Sequence, residues 1–108
     1  MWPSDWQSIG IPAPKCKAIV GAFELENWND KGNWYGSFRT NMKFLGADLV
    51  DYAAVLKKSG FTEPEYMGEK WELEKRLRVG GVWCRVTISD HGGNEIPEVS
   101  YSFREESD

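Results

Sequence analysis

A chain of 108 residues supports one hydrophobic core, and its 41% hydrophobic and 28% charged residues exclude a disordered polypeptide. The formal net charge of −4 argues mildly against long-range attraction to nucleic acid, although binding depends on local patches and not on the sum. No apolar run approaches the roughly 18 residues a membrane span needs, and Met1-Trp2-Pro3-Ser4-Asp5-Trp6 lacks the basic-then-apolar order of a secretory signal, so a cytoplasmic protein is expected.

Residues 1–15 contain Pro3, Pro12 and Pro14 and have no regular period, which predicts an extended arm pinned by Trp2, Trp6 and Ile9. A core of residues 16–104 follows, and Glu105-Glu106-Ser107-Asp108 reads as a short acidic tail. Residues 17–27 and 33–40 read as a β-hairpin. Ile19, Phe23 and Leu25 alternate on one face, Trp34 and Phe38 continue the pattern, and Asn29-Asp30-Lys31-Gly32 suits the turn.

Residues 48–59 carry a helical stripe at Leu49, Tyr52, Ala53 and Leu56. Asp48 is placed to cap its start, Lys57 and Lys58 lie in its last turn, and Gly60 follows as the stop. The segment 63–79 supports two readings. Glu72 to Arg76 and Glu74 to Arg78 are helical i,i+4 pairs, yet Trp71, Leu73, Leu77 and Val79 alternate as in a strand, broken only by Lys75.

The loops decide between them. With Gly80-Gly81 as a two-residue turn, Val79 faces Val82, Leu77 faces Cys84 and Leu73 faces Ile88. With Gly92-Gly93 closing a second hairpin, His91 faces Asn94, Val86 faces Val99, Cys84 faces Tyr101 and Val82 faces Phe103. Residues 71–79, 82–89 and 96–104 are therefore expected to form a meander with one buried face. The fold class is α+β: a mainly antiparallel five-stranded sheet or small barrel, in the order β-β-α-β-β-β, with one helix.

The same registers define the opposite face. Arg78 falls opposite Trp83, Arg76 opposite Arg85, and Ser100 and Ser102 beside Arg85 and Trp83, with Arg104 ending the row. Glu72, Glu74, Thr87 and Glu98 gather at the far end. Arginine opposite arginine destabilises a strand pair unless an anion offsets it. A tryptophan flanked by arginines suits a single strand, whose bases stack on the ring while phosphates meet the guanidiniums. A mixed-charge solvated face, with Glu74 and Glu98 balancing the arginines, is the plain structural alternative.

Candidate chemistry is sparse. Cys16 and Cys84 lack the close spacing of metal ligands and read as structural thiols. His91 lies in a Gly-rich turn without ligand-spaced neighbours, and neither Gly-Gly pair has the lysine and helix of a phosphate-binding loop. Glu24 with Glu26, and Glu72 with Glu74, are i,i+2 carboxylates of a kind common on solvated edges. No nucleophile–base pair is present, so no enzyme, no cofactor and no metal site is expected.

Several runs resemble phage-encoded single-stranded-DNA-binding proteins of the OB-fold type. Pro12-Ala13-Pro14-Lys15-Cys16-Lys17-Ala18-Ile19-Val20, Phe23-Glu24-Leu25, Gly32 and Phe38 resemble their opening hairpin. Leu56-Lys57-Lys58-Ser59-Gly60-Phe61 resembles the end of their helix. Gly81-Val82-Trp83-Cys84-Arg85-Val86-Thr87-Ile88, Gly93-Asn94-Glu95 and Glu98-Val99 resemble their final hairpin. The OB order of three strands, helix and two strands differs from the two, helix and three read here, and only Asn41-Met42-Lys43-Phe44 is available as a third strand before the helix.

Two binding functions follow. One is single-stranded nucleic acid, held by Trp83, Arg76, Arg78, Arg85 and Arg104, with Trp34, Tyr35 and Arg39 and the Trp28 ring on the first hairpin as further contacts. The other is an acidic inhibitor of a basic protein, of the toxin-immunity or anti-defence kind. It would act through Glu24, Glu26, Trp28, Asp30, Glu69 and Glu72, with Glu63 and Glu65 nearby. Neither reading needs a small-molecule partner or a membrane, and a homodimer is compatible with both.

Overall fold

The structure, a computed structural model, describes residues 4–20, 37–63, 71–79, 81–92 and 95–106, with only the backbone at 4, 5, 37–40, 79 and 82. Its elements are α1 (Ser4–Ile9), β1 (Ala18–Val20), β2 (Ser37–Leu45), α2 (Leu49–Lys58), β3 (Glu72–Val79), β4 (Val82–Asp90) and β5 (Glu98–Glu105). The strands form one open antiparallel sheet in the order β1-β2-β5-β4-β3.

The α2 helix forms where its caps predict. Asp48 takes an extended backbone conformation, and its Oδ1 accepts from the Val50 and Asp51 amides at 2.9 and 3.2 Å. At the other end Gly60, at φ +96°, lets its amide reach the Lys57 carbonyl while the Phe61 amide reaches that of Leu56. That pair of bonds is a Schellman closure, and Phe61 is buried where its hydrophobic contact belongs. The strand position that breaks the alternation, Lys75, joins this closure. Its Nζ donates to the Ser59 carbonyl at 2.6 Å and lies 5.9 Å from the Phe61 ring.

The core lies between α2, α1 and one face of the sheet. Leu73, Leu77, Cys84, Val86, Ile88, Val99, Tyr101, Phe103, Met42 and Phe44 point into it from the strands, and Tyr52, Ala53 and Leu56 from α2. The expected arm contains α1, and Trp6 on it packs edge-on against Tyr101 and Phe103 with ring centroids 4.8 and 5.4 Å away. Ile11 is fully buried. A short helix is the means by which a proline-flanked segment brings both side chains down onto the sheet.

The β3–β4 register is the expected one throughout, from Val79↔Val82 to Leu73↔Ile88. The β4–β5 register is not. Val86 pairs with Phe103 instead of Val99, and Ile88 with Tyr101, a slide of four residues. The two-residue turn at Gly92-Gly93 gives way to a longer connection. β4 runs on to Asp90, whose Oδ1 accepts from the Gly92 amide at 2.9 Å with Gly92 at φ +75°. The His91 amide then bonds the Glu98 carbonyl, and Pro97, which has no N–H to donate, precedes the strand. A slide of four is even, so the same side chains face the core.

The first hairpin also differs from its expected form. β2 continues through Asn41–Leu45, so Asn41-Met42-Lys43-Phe44 belongs to the second strand and supplies no third one. Met42 and Phe44 extend the inward alternation there, and this end of β2 pairs with β1 as Val20↔Lys43 and Ile19↔Phe44. Its turn at 29–32 lies outside the described residues, as do Phe23, Leu25 and Trp34.

Candidate functional site

The slide of β5 rearranges the solvent face. Arg85 pairs with Arg76 on one side and Arg104 on the other, so three arginines form a single row across three adjacent strands. Ser102 and Ser100 pair with Thr87 and Ser89, not with Arg85 and Trp83 as expected. The strand offset thus brings Arg104 into the arginine row and leaves Ser102 one row and Ser100 two rows away from it.

Beside this row stands Trp83. The Arg76 guanidinium carbon lies 4.8 Å from its ring centroid and that of Arg78 lies 5.9 Å away, both within cation–π range. Trp83 itself is half-buried. The Glu106 amide donates to the Trp83 carbonyl at 2.9 Å, which extends the β5 pairing past Glu105 and draws part of the expected tail into the sheet.

Arg85 is held from two sides. Its Nε and Nη2 donate to Oε2 and Oε1 of Glu106 at 2.8 and 3.4 Å, a forked contact, and Nη1 donates to Glu74 Oε1 at 3.1 Å. Arg76 Nε reaches the same Glu106 Oε1 at 3.4 Å. The Arg85 hydrogen bonds hold the Glu106 carboxyl below its usual range, with the charges of Arg85, Arg76 and Arg104 adding to the effect. In return, the hydrogen bond to Glu106 raises Arg85 further.

These groups line an open depression of about 990 Å³. Arg76, Arg85 and Arg104 meet Glu74, Glu105 and Glu106 in it, so its formal charge is zero, and Thr87 and Ser102 add hydroxyls. The acidic partners were partly legible. Glu74 falls on this face in any register, whereas Glu106 reads as tail unless the alternation Ser100, Ser102, Arg104 is carried one step further.

The remaining expected residues are not gathered here. Arg39 pairs through its backbone with Ser102, and its side chain lies outside the described structure. Trp34, Tyr35, Trp28, Glu24, Glu26, Asp30, Glu65 and Glu69 lie outside the described residues. Glu72 is half-buried opposite Ser89, and Glu63 pairs with Lys57 at 2.9 Å on the helix side.

Burial raises the Cys84 thiol, and the nearby Glu105 and Glu106 carboxylates raise it further, which disfavours the reactive thiolate. His91 Nε2 lies 3.5 Å from Glu98 Oε2, which also accepts from Asn41 Nδ2 at 3.1 Å. Among the described residues no cluster of three His, Cys, Asp or Glu side chains could hold a metal ion, and no helix is long and apolar enough to cross a membrane. Comparison of the chain with protein families, with characterised proteins and with solved structures finds no match.

Proposed function

We propose that this chain is a non-catalytic protein that binds single-stranded nucleic acid on the arginine–tryptophan face of its sheet, in the cytoplasm of its cell or, if phage-encoded, of the host. One observation carries the reading. Trp83 stands on the face opposite the core with Arg76 and Arg78 against its ring, beside the row of Arg76, Arg85 and Arg104. An aromatic platform next to guanidiniums is what sequence-independent binding of a single strand requires. The likeness of the final hairpin to phage single-stranded-DNA-binding proteins points the same way.

The carboxylates set the terms of binding. Glu106 and Glu74 occupy Arg85 in the unliganded protein, so a phosphate has to take their place. Long-range attraction is weak for a chain of net charge −4, and affinity rests on the local exchange and on stacking.

Fluorescence anisotropy with a labelled oligonucleotide, from low to high salt, tests the proposal. Trp83→Ala removes a stacking platform and weakens binding by roughly 1–3 kcal/mol with the salt slope kept. Arg85→Ala weakens binding and flattens the slope by about 0.7, because about one counterion fewer is released. Absence of binding by the parent at low salt defeats the reading. It would favour the acidic-inhibitor alternative, whose support is the net negative charge.

A further inference from the structure

The arginines of the site converge on one point. Arg85 forks onto both oxygens of Glu106, Arg76 reaches one of them, and Arg104 lines the same depression. Two guanidiniums from neighbouring strands therefore hold a single anionic headgroup, and a third, from the next strand, lines the same depression. A groove that tracks a nucleic-acid backbone would instead distribute its cations along a path.

The donor supply also exceeds what a carboxylate can use. Each guanidinium carries five N–H donors, whereas Glu106 offers two oxygens that already take three contacts. Arg85 turns its remaining arm to Glu74, and Thr87 and Ser102 add hydroxyls to the same depression. A phosphodiester resembles the carboxylate, with one charge and two unbridged oxygens. A phosphomonoester carries about 1.5 to 2 charges and three strong acceptor oxygens. It can engage all three arginines at once and outcompete a singly charged carboxylate at the end of a strand.

Resting on the nucleic-acid reading above, we infer that the Arg76–Arg85–Arg104 site takes the terminal phosphate of a single strand, with the adjoining base stacked on Trp83. Glu106 holds the place of that phosphate until the ligand arrives. The site thus recognises strand ends in preference to strand interiors.

The test uses the whole chain and three short oligothymidylates with an internal fluorescent label, bearing a 5′-phosphate, a 3′-phosphate, or hydroxyls at both ends. One phosphorylated form binds about tenfold or more tightly than the hydroxyl-ended one, and the tighter of the two names the end. Arg85→Lys keeps the charge and loses the fork, so it weakens the phosphorylated strand more than the hydroxyl-ended one and narrows that preference. Glu106→Gln removes the resident charge and tightens the phosphorylated strand severalfold. Equal binding of all three oligonucleotides by the parent overturns this inference and leaves the nucleic-acid reading standing. A preference left unchanged by both substitutions overturns the assignment to this site. Failure of every oligonucleotide to bind overturns the nucleic-acid reading itself.

Discussion

The Tyr52 hydroxyl lies 2.7 Å from the Pro12 carbonyl and 2.7 Å from the Tyr101 hydroxyl. Since a carbonyl only accepts, Tyr52 spends its one proton on Pro12, and Tyr101 must donate to Tyr52. The chain of bonds ties the N-terminal segment to α2 and α2 to the central strand, and it makes the two hydroxyls unequal. Tyr52→Phe strips Tyr101 of its acceptor and Pro12 of its donor, and is expected to cost about 1–3 kcal/mol. Tyr101→Phe leaves the Pro12 bond intact and should cost only about 0.5–1.5 kcal/mol. Urea denaturation of the two variants checks the order.

Burial raises both phenols above the ordinary value of 10.0. A raised folded value means that their contribution is whole below pH 10 and is lost as pH climbs toward the folded value. Alkaline unfolding should therefore begin above pH 10 and shift in both phenylalanine variants.

At the scale of elements, α2 depends on its two ends. Asp48→Ala removes the acceptor for two amides and should cost about 1 kcal/mol. Gly60→Ala meets two obstacles: the left-handed backbone, which costs roughly 1–2 kcal/mol for a residue with a Cβ, and Lys75 Nζ only 2.9 Å from where that Cβ would stand. Thermal melts should rank Gly60→Ala as the more damaging. Both caps were legible in the sequence, because capping is local chemistry between residues a few positions apart.

The β4–β5 offset was not legible, for a reason visible in its residues. Val99, Tyr101 and Phe103 alternate with period two, so they match Val86 and Ile88 equally well after a slide of two or four. Only the loop settles the offset, through the Asp90 side chain, the positive φ of Gly92 and the donor missing at Pro97. Cross-strand nuclear Overhauser contacts should join Val86 to Phe103 and Ile88 to Tyr101.

Among the described residues the sheet packs one face into the core and carries the arginine row on the other, and neighbouring positions on β4 should respond in opposite ways to the same change. Val86 is fully buried opposite Phe103, so Val86→Asp puts an unpaired charge in the core and should cost several kcal/mol, about 4 or more. Thr87 faces the depression, and Thr87→Asp should leave the fold intact while weakening oligonucleotide binding. Circular dichroism with melting, followed by anisotropy on the folded variant, separates the two outcomes.

The sequence by itself determined which side chains of β3, β4 and β5 share a face, the helix α2 and its caps, and the register of β3 on β4, because each follows from a short period or a contact a few residues long. It also brought Arg76, Arg78, Trp83 and Arg85 together, since they lie on those two consecutive strands. Only the tertiary structure decided that Arg104 completes the row, that Trp6 enters the core on a helix, and that Glu106 meets Arg85. The Arg104 and Glu106 contacts depend on how far one strand slides along another, and a repeat of two residues leaves that distance open.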